Sequence, residues 1–211
     1  ASNLKSCVEV ENASKSSGAN VQQYESNGNA CQHWILEETT AAGVKLDTSQ
    51  VYQFQNANSA LYLEVKDASA EAGANVQQWG ANGNDCQNWT LKEFGDGYYY
   101  ILSRLGDGKT YYLDVAEGKG DDGTNIQIFT NTKTSAQLFK FIPNPDGTYY
   151  IVTRASKDKG ALGVAAASKE QGANVLQWTK NGSMDQMWNI TAIGAIPTPV
   201  TTTEPPVVTT E

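Results

Sequence analysis

Histidine is almost missing from this sequence of 211 residues, and His33 is the one exception. Without a second histidine, Ser-His-Asp chemistry and histidine-based zinc sites lack their working groups. Cysteine is scarce too: Cys7, Cys31 and Cys86 cannot all pair within one chain, and no metal-type spacing links them. A Cys7–Cys31 disulfide stays open on this reading. Basic residues are outnumbered, 15 against 23 acidic ones, for a net charge of −8 and a pI near 4.7. Such a surface repels phosphate backbones and anionic membrane surfaces, so neither nucleic acid nor membrane is an expected partner. No apolar run approaches the roughly 18 residues of a spanning helix. No leader-like segment opens the sequence, as expected of a mature or excised piece.

What the sequence does have is an internal repeat, and self-similarity at a fixed period is read before anything else. Four times a Gly-x-Asn step is followed, 14 residues after its Asn, by an aromatic placed two positions after a Gln. The copies run Gly18-Ala19-Asn20 to Trp34, Gly73-Ala74-Asn75 to Trp89, Gly123-Thr124-Asn125 to Phe139, and Gly172-Ala173-Asn174 to Trp188. Each contains a short alternating run before the Asn (Cys7–Val10, Tyr62–Val65, Tyr112–Val115, Ala161–Val164) and another after it (Val21–Tyr24, Val76–Trp79, Ile126–Phe129, Val175–Trp178). Period-2 alternation between Gly, Asn, Asp and Ser clusters is the signature of strands. The last three copies carry a further upstream strand, at 50–54, 98–102 and 149–152, which the first copy lacks. The chain therefore reads as all-β: a partial unit at 1–36, a connector at 37–49, and three complete four-stranded units at about 50–96, 97–146 and 147–193.

Four copies of a four-stranded unit would suit the radial repetition of a four-bladed propeller. The propeller needs all four blades, and nothing after residue 193 replaces the strand missing from the first. Composition then shifts: Pro197–Glu211 holds four Pro and six Thr in 15 residues. Such a tract cannot pack a core and reads as an extended spacer, so 194–211 is expected to be a linker to a covalently attached module.

One literal match misleads. Gly118-Lys119-Gly120-Asp121-Asp122-Gly123 spells G-x-G-x-x-G, but a strand rather than a helix follows, and the aspartates would repel a pyrophosphate. No cofactor is expected. Glu117, Asp121 and Asp122 read as a solvated acidic loop, with no metal site assigned.

The repeats resemble the ricin B-type β-trefoil, also called carbohydrate-binding module family 13. Its Gln-x-Trp signature stands here as Gln32-x-Trp34, Gln87-x-Trp89, Gln137-x-Phe139 and Gln186-x-Trp188, with Phe139 a departure. The resemblance covers residues 1 to 193 and implies a β-trefoil: three four-stranded repeats about a pseudo-threefold axis, six strands closing a barrel and three hairpins capping it, here with a partial fourth repeat at the N-terminus. Trp34, Trp89, Phe139 and Trp188 are then expected in the core.

In that family a strand acid, an aromatic on the next strand and polar groups near the signature Gln form a shallow sugar pocket. Flat aromatic faces supply apolar area at little rotamer cost, and carboxylates accept strong hydroxyl hydrogen bonds. Position by position, the resemblance implies Glu64, Gln77, Trp79, Asn84 and Gln87, with Asn82 nearby, in the second unit. It implies Asp114, Gln127, Phe129 and Gln137 in the third, and Trp178, Asp185 and Gln186 in the fourth. The first unit offers Glu9, Gln22, Tyr24 and Gln32. Gly163 and Leu176 replace the acid and the strand Gln in the fourth unit, whose pocket therefore looks degraded.

The function implied is a secreted, noncatalytic module that binds plant-type polysaccharide, galactan or arabinogalactan or xylan, and holds an attached glycoside hydrolase near its substrate. A trefoil lectin or inhibitor-like module contacting a protein or glycoprotein is the alternative. A hydrolase fragment, with residues 1–48 bordering a catalytic domain, is disfavoured by the lone histidine.

Overall fold

The computed structural model describes residues 5–34 and 44–197. Most of the expected connector and nearly all of the Thr/Pro tract lie outside these residues. The chain divides into two compact units, 1–40 and 41–211. No α-helix occurs among the described residues; short 3-10 turns join the strands.

In the first unit, β1 (Ser6–Val10) pairs antiparallel with β2 (Val21–Glu25), with Cys7 opposite Tyr24 and Val10 opposite Val21. A turn at Glu11–Ala13 follows β1 and another at Ala30–Gln32 precedes Trp34. Trp34 Nε1 donates to Val8 O at 2.8 Å, as Trp89 does to Leu63 O at 3.2 Å and Trp188 to Leu162 O at 3.0 Å. The anchoring is the same, but the burial is not. Trp34 is 49% exposed whereas Trp89, Phe139 and Trp188 are 0%. The expectation that Trp34 is a core residue is corrected: a single hairpin buries one side of an indole and cannot enclose it. All three cysteines are free thiols, Cys7 and Cys31 included.

The described residues of the second unit form twelve strands: β3 (Gln50–Asn56), β4 (Tyr62–Val65), β5 (Val76–Trp79), β6 (Trp89–Gly95), β7 (Tyr98–Ser103), β8 (Tyr111–Val115), β9 (Thr124–Thr130), β10 (Phe139–Pro143), β11 (Tyr149–Thr153), β12 (Gly160–Val164), β13 (Val175–Thr179) and β14 (Met187–Ala195). Six of them form a ring. β3 pairs β6, β6 pairs β7, β7 pairs β10, β10 pairs β11, β11 pairs β14, and β14 returns to β3. Closure leaves the barrel without a free edge. The hairpins β4–β5, β8–β9 and β12–β13 meet over one end. The ring decides for the barrel and against the propeller.

The core comes in sets of three from matching places in the repeat: Phe54, Ile101 and Ile151; Leu63, Leu113 and Leu162; Val76, Ile126 and Val175; Trp89, Phe139 and Trp188, all 0% exposed. Each fully buried aliphatic or Phe side chain contributes roughly 1.5–3 kcal/mol in transfer free energy. Two boundaries differ from expectation. β14 runs past 193 to Ala195, opposite Gln50, and Ile196 N donates to Ser49 O, so residues 194–196 belong to the barrel rather than to a linker. At the other end, Val44 N donates to Phe141 O and Leu46 packs on the core, so the last connector residues, 44–49, lie against the barrel.

Candidate functional site

Every repeat of the second unit carries one shallow cleft, built by the same local rule. The strands β4, β8 and β12 each end in two or three residues of tight turn, where Asp67, Glu117 and Ala166 take φ of 55°, 58° and 53°. That reversal places the turn beside the end of the following strand, and the side chains there face a common hollow.

The widest of these three clefts, about 520 Å³, is lined by Asp114, Gln127, Phe129, Thr132, Thr134 and the Glu117–Gly118 turn. Asp114 is buried, and Gln127 Nε2 donates to its Oδ1 at 2.9 Å. Burial pushes the Asp114 carboxyl above its ordinary value, and the Gln127 and Gln137 amides oppose that shift. Phe129 is half-buried at the rim of the cleft. An aromatic ring and a buried carboxylate approached by two amides, one fewer than Glu64 takes, thus share one cleft.

The corresponding cleft of the first full repeat is smaller, about 210 Å³, with Glu64, Gln77, Trp79, Asn82, Asn84 and Cys86 around it. Here the extra methylene of Glu64 changes the chemistry. Its carboxylate reaches Gln77 Nε2 at 3.1 Å, Asn82 Nδ2 at 2.7 Å and Gln87 Nε2 at 2.8 Å, so three amides hold it within the protein. Little acceptor capacity is left over. Trp79 remains 39% exposed, and its ring lies 3.4 Å from where a side chain on Gly172 of the neighbouring repeat would begin. Gln171 Oε1 accepts from Gly80 N at 3.1 Å, bracing the same strand end. Trp178 likewise lies 3.8 Å from where a side chain on Gly123 would begin, whereas nothing stands within 4 Å of Gly73, so two of the three aromatic walls lean on another repeat.

The third cleft, about 350 Å³, is lined by Leu176, Trp178, Asn181, Ser183, Asp185, Gln186 and the Val164–Ala167 turn. Trp178 is 45% exposed.

The signature glutamines were expected among the contact residues, and the structure corrects this. Gln87, Gln137 and Gln186 are 0, 0 and 1% exposed. Their Oε1 atoms accept from Asn82 N, Thr132 N and Asn181 N at 3.2, 2.9 and 3.0 Å. Their Nε2 atoms donate to Gly80 O, Thr130 O and Thr179 O at 2.8, 2.9 and 3.0 Å. A fully buried amide with both ends engaged has nothing to offer a ligand. These side chains close the loop that forms one wall of each cleft and act through it.

In the first unit, Glu9 is likewise held by Gln22 at 3.0 Å and Gln32 at 2.8 Å, and Tyr24 is 53% exposed. Gln32 Oε1 accepts from Asn27 N at 2.9 Å, the same loop closure. The cavity described there is a different one: an apolar hollow lined by Cys7, Val8, Val21, Gln32 and Trp34.

A model of the ricin-type beta-trefoil lectin domain-like family matches the chain in four overlapping stretches, residues 1–50, 44–129, 107–178 and 135–198. The chain belongs to this ricin-type β-trefoil lectin family. A designed threefold-symmetric protein, ThreeFoil, is 34% identical with a TM-score of 0.62, over 66% of this chain and 96% of that one. The exo-beta-1,3-galactanase 1,3Gal43A of Clostridium thermocellum is 30% identical with a TM-score of 0.64, over 69% of this chain and 30% of that one. The Clotting factor G alpha subunit of Tachypleus tridentatus is 36% identical over 69 residues, 32% of this chain and 10% of that protein. The ricin-type chain thus corresponds to only a minor part of these two larger proteins.

Proposed function

We propose that this ricin-type chain is a noncatalytic carbohydrate-binding module whose clefts hold sugar rings against Phe129, Trp79 and Trp178. The observation that carries the reading is the Asp114 cleft, where a buried carboxylate with spare acceptor capacity sits beside an aromatic edge. Sugar hydroxyls are donors and the axial-hydrogen face of the ring is apolar, so this pairing suits them. The three-amide clamp on Glu64 favours the Asp114 cleft as the strongest of the three and leaves the Glu64 cleft to stacking on Trp79.

Polysaccharide fits better than a single sugar. Three shallow clefts spaced around one barrel end gain apparent affinity when two engage the same polymer. Galactan, arabinogalactan and xylan are the ligands proposed, with an attached glycoside hydrolase beyond the Pro/Thr-rich tract and a secreted setting. The 30% identity to part of a galactanase supports galactan first. Residues 5–34 are proposed to be a partial fourth repeat, since their Trp34 anchor, Glu9–Gln32 contact and Gln32 loop closure reproduce the Trp89, Glu64 and Gln87 arrangement.

Affinity electrophoresis of the chain through gels containing galactan, arabinogalactan, xylan or cellulose tests the reading. Retardation in a galactan or xylan gel relative to a sugar-free gel is the expected result. Uniform migration in all of them, together with binding to a glycoprotein, would replace it with the protein-contact alternative.

A further inference from the structure

The Trp178 cleft lacks a strand acid, because Gly163 stands where Glu64 and Asp114 stand in the other repeats. The structure shows what occupies that space. A side chain on Gly163 would begin 3.3 Å from Asp185 Oδ2 and 3.0 Å from Gln186 Cγ. A carboxylate is therefore present in the hollow, brought in from the loop wall that faces β12.

Position 185 explains the exchange. Its counterparts are Cys86 and Ala136, and Cys86 Sγ lies 3.7 Å from Glu64 Oε2. Two repeats pair an acid on the strand with a small residue on the loop. The third pairs a Gly on the strand with an acid on the loop. Either arrangement puts one carboxylate in the hollow, and both together would crowd two carboxylates into contact distance.

The anchoring also differs. Asp185 Oδ1 accepts from the Ser183 hydroxyl, and among the described residues no side-chain amide donates to Asp185. Leu176 has replaced the strand Gln that donates to the acid in the other repeats, and Gln186 is engaged with Trp178 O and Thr179 O. Asp185 Oδ2 thus keeps its acceptor capacity while Trp178 stays exposed across the cleft.

We propose that Asp185 replaces the strand acid of this repeat, making the Trp178 cleft a working sugar site that grips the ring from the opposite wall. The inference rests on the carbohydrate-binding reading above. Its consequence is a site with its own selectivity: a ring stacked on Trp178 presents a different edge to the carboxylate than one held by Asp114.

The test uses the whole chain, labelled with ¹⁵N, and the indole N–H signals of its five tryptophans, assigned by single Trp→Phe variants. Galactobiose and xylobiose are the titrants. In the unsubstituted protein the Trp178 indole is expected to shift with one of them. Asp185→Ala should weaken the titration followed at Trp178 by about tenfold or more, the order expected for losing a charge-assisted hydrogen bond, and leave the Trp79 signal's response unchanged. The reciprocal variant Gly163→Asp with Asp185→Ala, which copies the Asp114 and Ala136 arrangement, should restore part of the response. A Trp178 signal that stays still while another indole moves would overturn the inference and leave the module reading standing. So would an unchanged titration in folded Asp185→Ala. If no indole moves and no polysaccharide gel retards the chain, both fall together.

Discussion

Asn75 Nδ2 donates to Asn174 Oδ1 at 2.9 Å, joining side chains 99 residues apart. Asn125 Nδ2 donates to Asn75 Oδ1 at 3.0 Å and Asn174 Nδ2 to Asn125 Oδ1 at 2.8 Å, so the three amides close a ring, each giving one bond and taking one. This is what the Asn of the Gly-x-Asn step does. It ties the three capping hairpins together where they meet. Asn20, the fourth copy, is exposed and donates to Glu11 instead, at 3.3 Å.

Removing one member leaves a donor and an acceptor unpaired in the other two. Asn174→Ala should cost about 1–2 kcal/mol, the usual price of orphaned, partly buried polar groups. Asn20→Ala should change stability by no more than about 0.5 kcal/mol. Urea midpoints of the two variants check this, and equal midpoints would show that the ring contributes nothing.

Trp79 and Trp89 stand ten residues apart with opposite burdens. Trp89 is fully enclosed and donates to Leu63 O, so Trp89→Ala should destabilise the barrel by about 3–5 kcal/mol. Trp79→Ala should cost about 1 kcal/mol or less and reduce retardation in the polysaccharide gel. Melting curves and gel mobility on the same two proteins separate the roles.

Asp114 should trade stability for binding. Burial holds its folded pKa above the unfolded value, so the folded state keeps its proton longer and stability falls as pH rises through that interval. Above the interval the loss persists. Asp114→Asn should therefore melt at a higher temperature than the unsubstituted chain near neutral pH, with the advantage vanishing in acid, while sugar affinity drops. The binding itself should weaken on acidification earlier than an ordinary Asp would allow. Melting temperatures across pH, with mobility in the gel, test both signs.

Tyr98 should ionise well above the usual tyrosine range. Burial and the hydrogen bonds to Asp158, at 2.7 and 2.8 Å, push its phenol up to about 12. Alkaline absorbance titration should show a late step that Tyr98→Phe removes; survival of that step would assign it to another residue.

Much of this was legible in the sequence because the fold repeats itself. Three of the four aromatics at one spacing, Trp89, Phe139 and Trp188, form the barrel's core set, and the strand pattern matches its hairpins. The glutamines were misread because a fixed spacing marks a role without saying whether the role is contact or support. Gln87 is invariant in position because its two amide ends close a loop, a fact carried by backbone atoms that have no letter. The repeat position of Asp185 put it near the Trp178 cleft, which it lines, while its approach to Gly163 was hidden. Two positions 22 residues apart on facing walls exchange a carboxylate, and only their distance in space reveals it. Trp34 carried the same letters as Trp89 and lacked the surrounding strands.

The pairing of β3 with β14 has a mechanical side. Gln50 lies opposite Ala195, and Ser49 O accepts from Ile196 N, so the barrel's incoming and outgoing chain leave from one seam. Tension applied along the polypeptide would load that seam bond by bond from its open end, in the manner of a zipper, rather than shearing all its hydrogen bonds at once. The barrel should then yield at low force, with β3 and β14 parting first and the three amides of the Asn ring still joined.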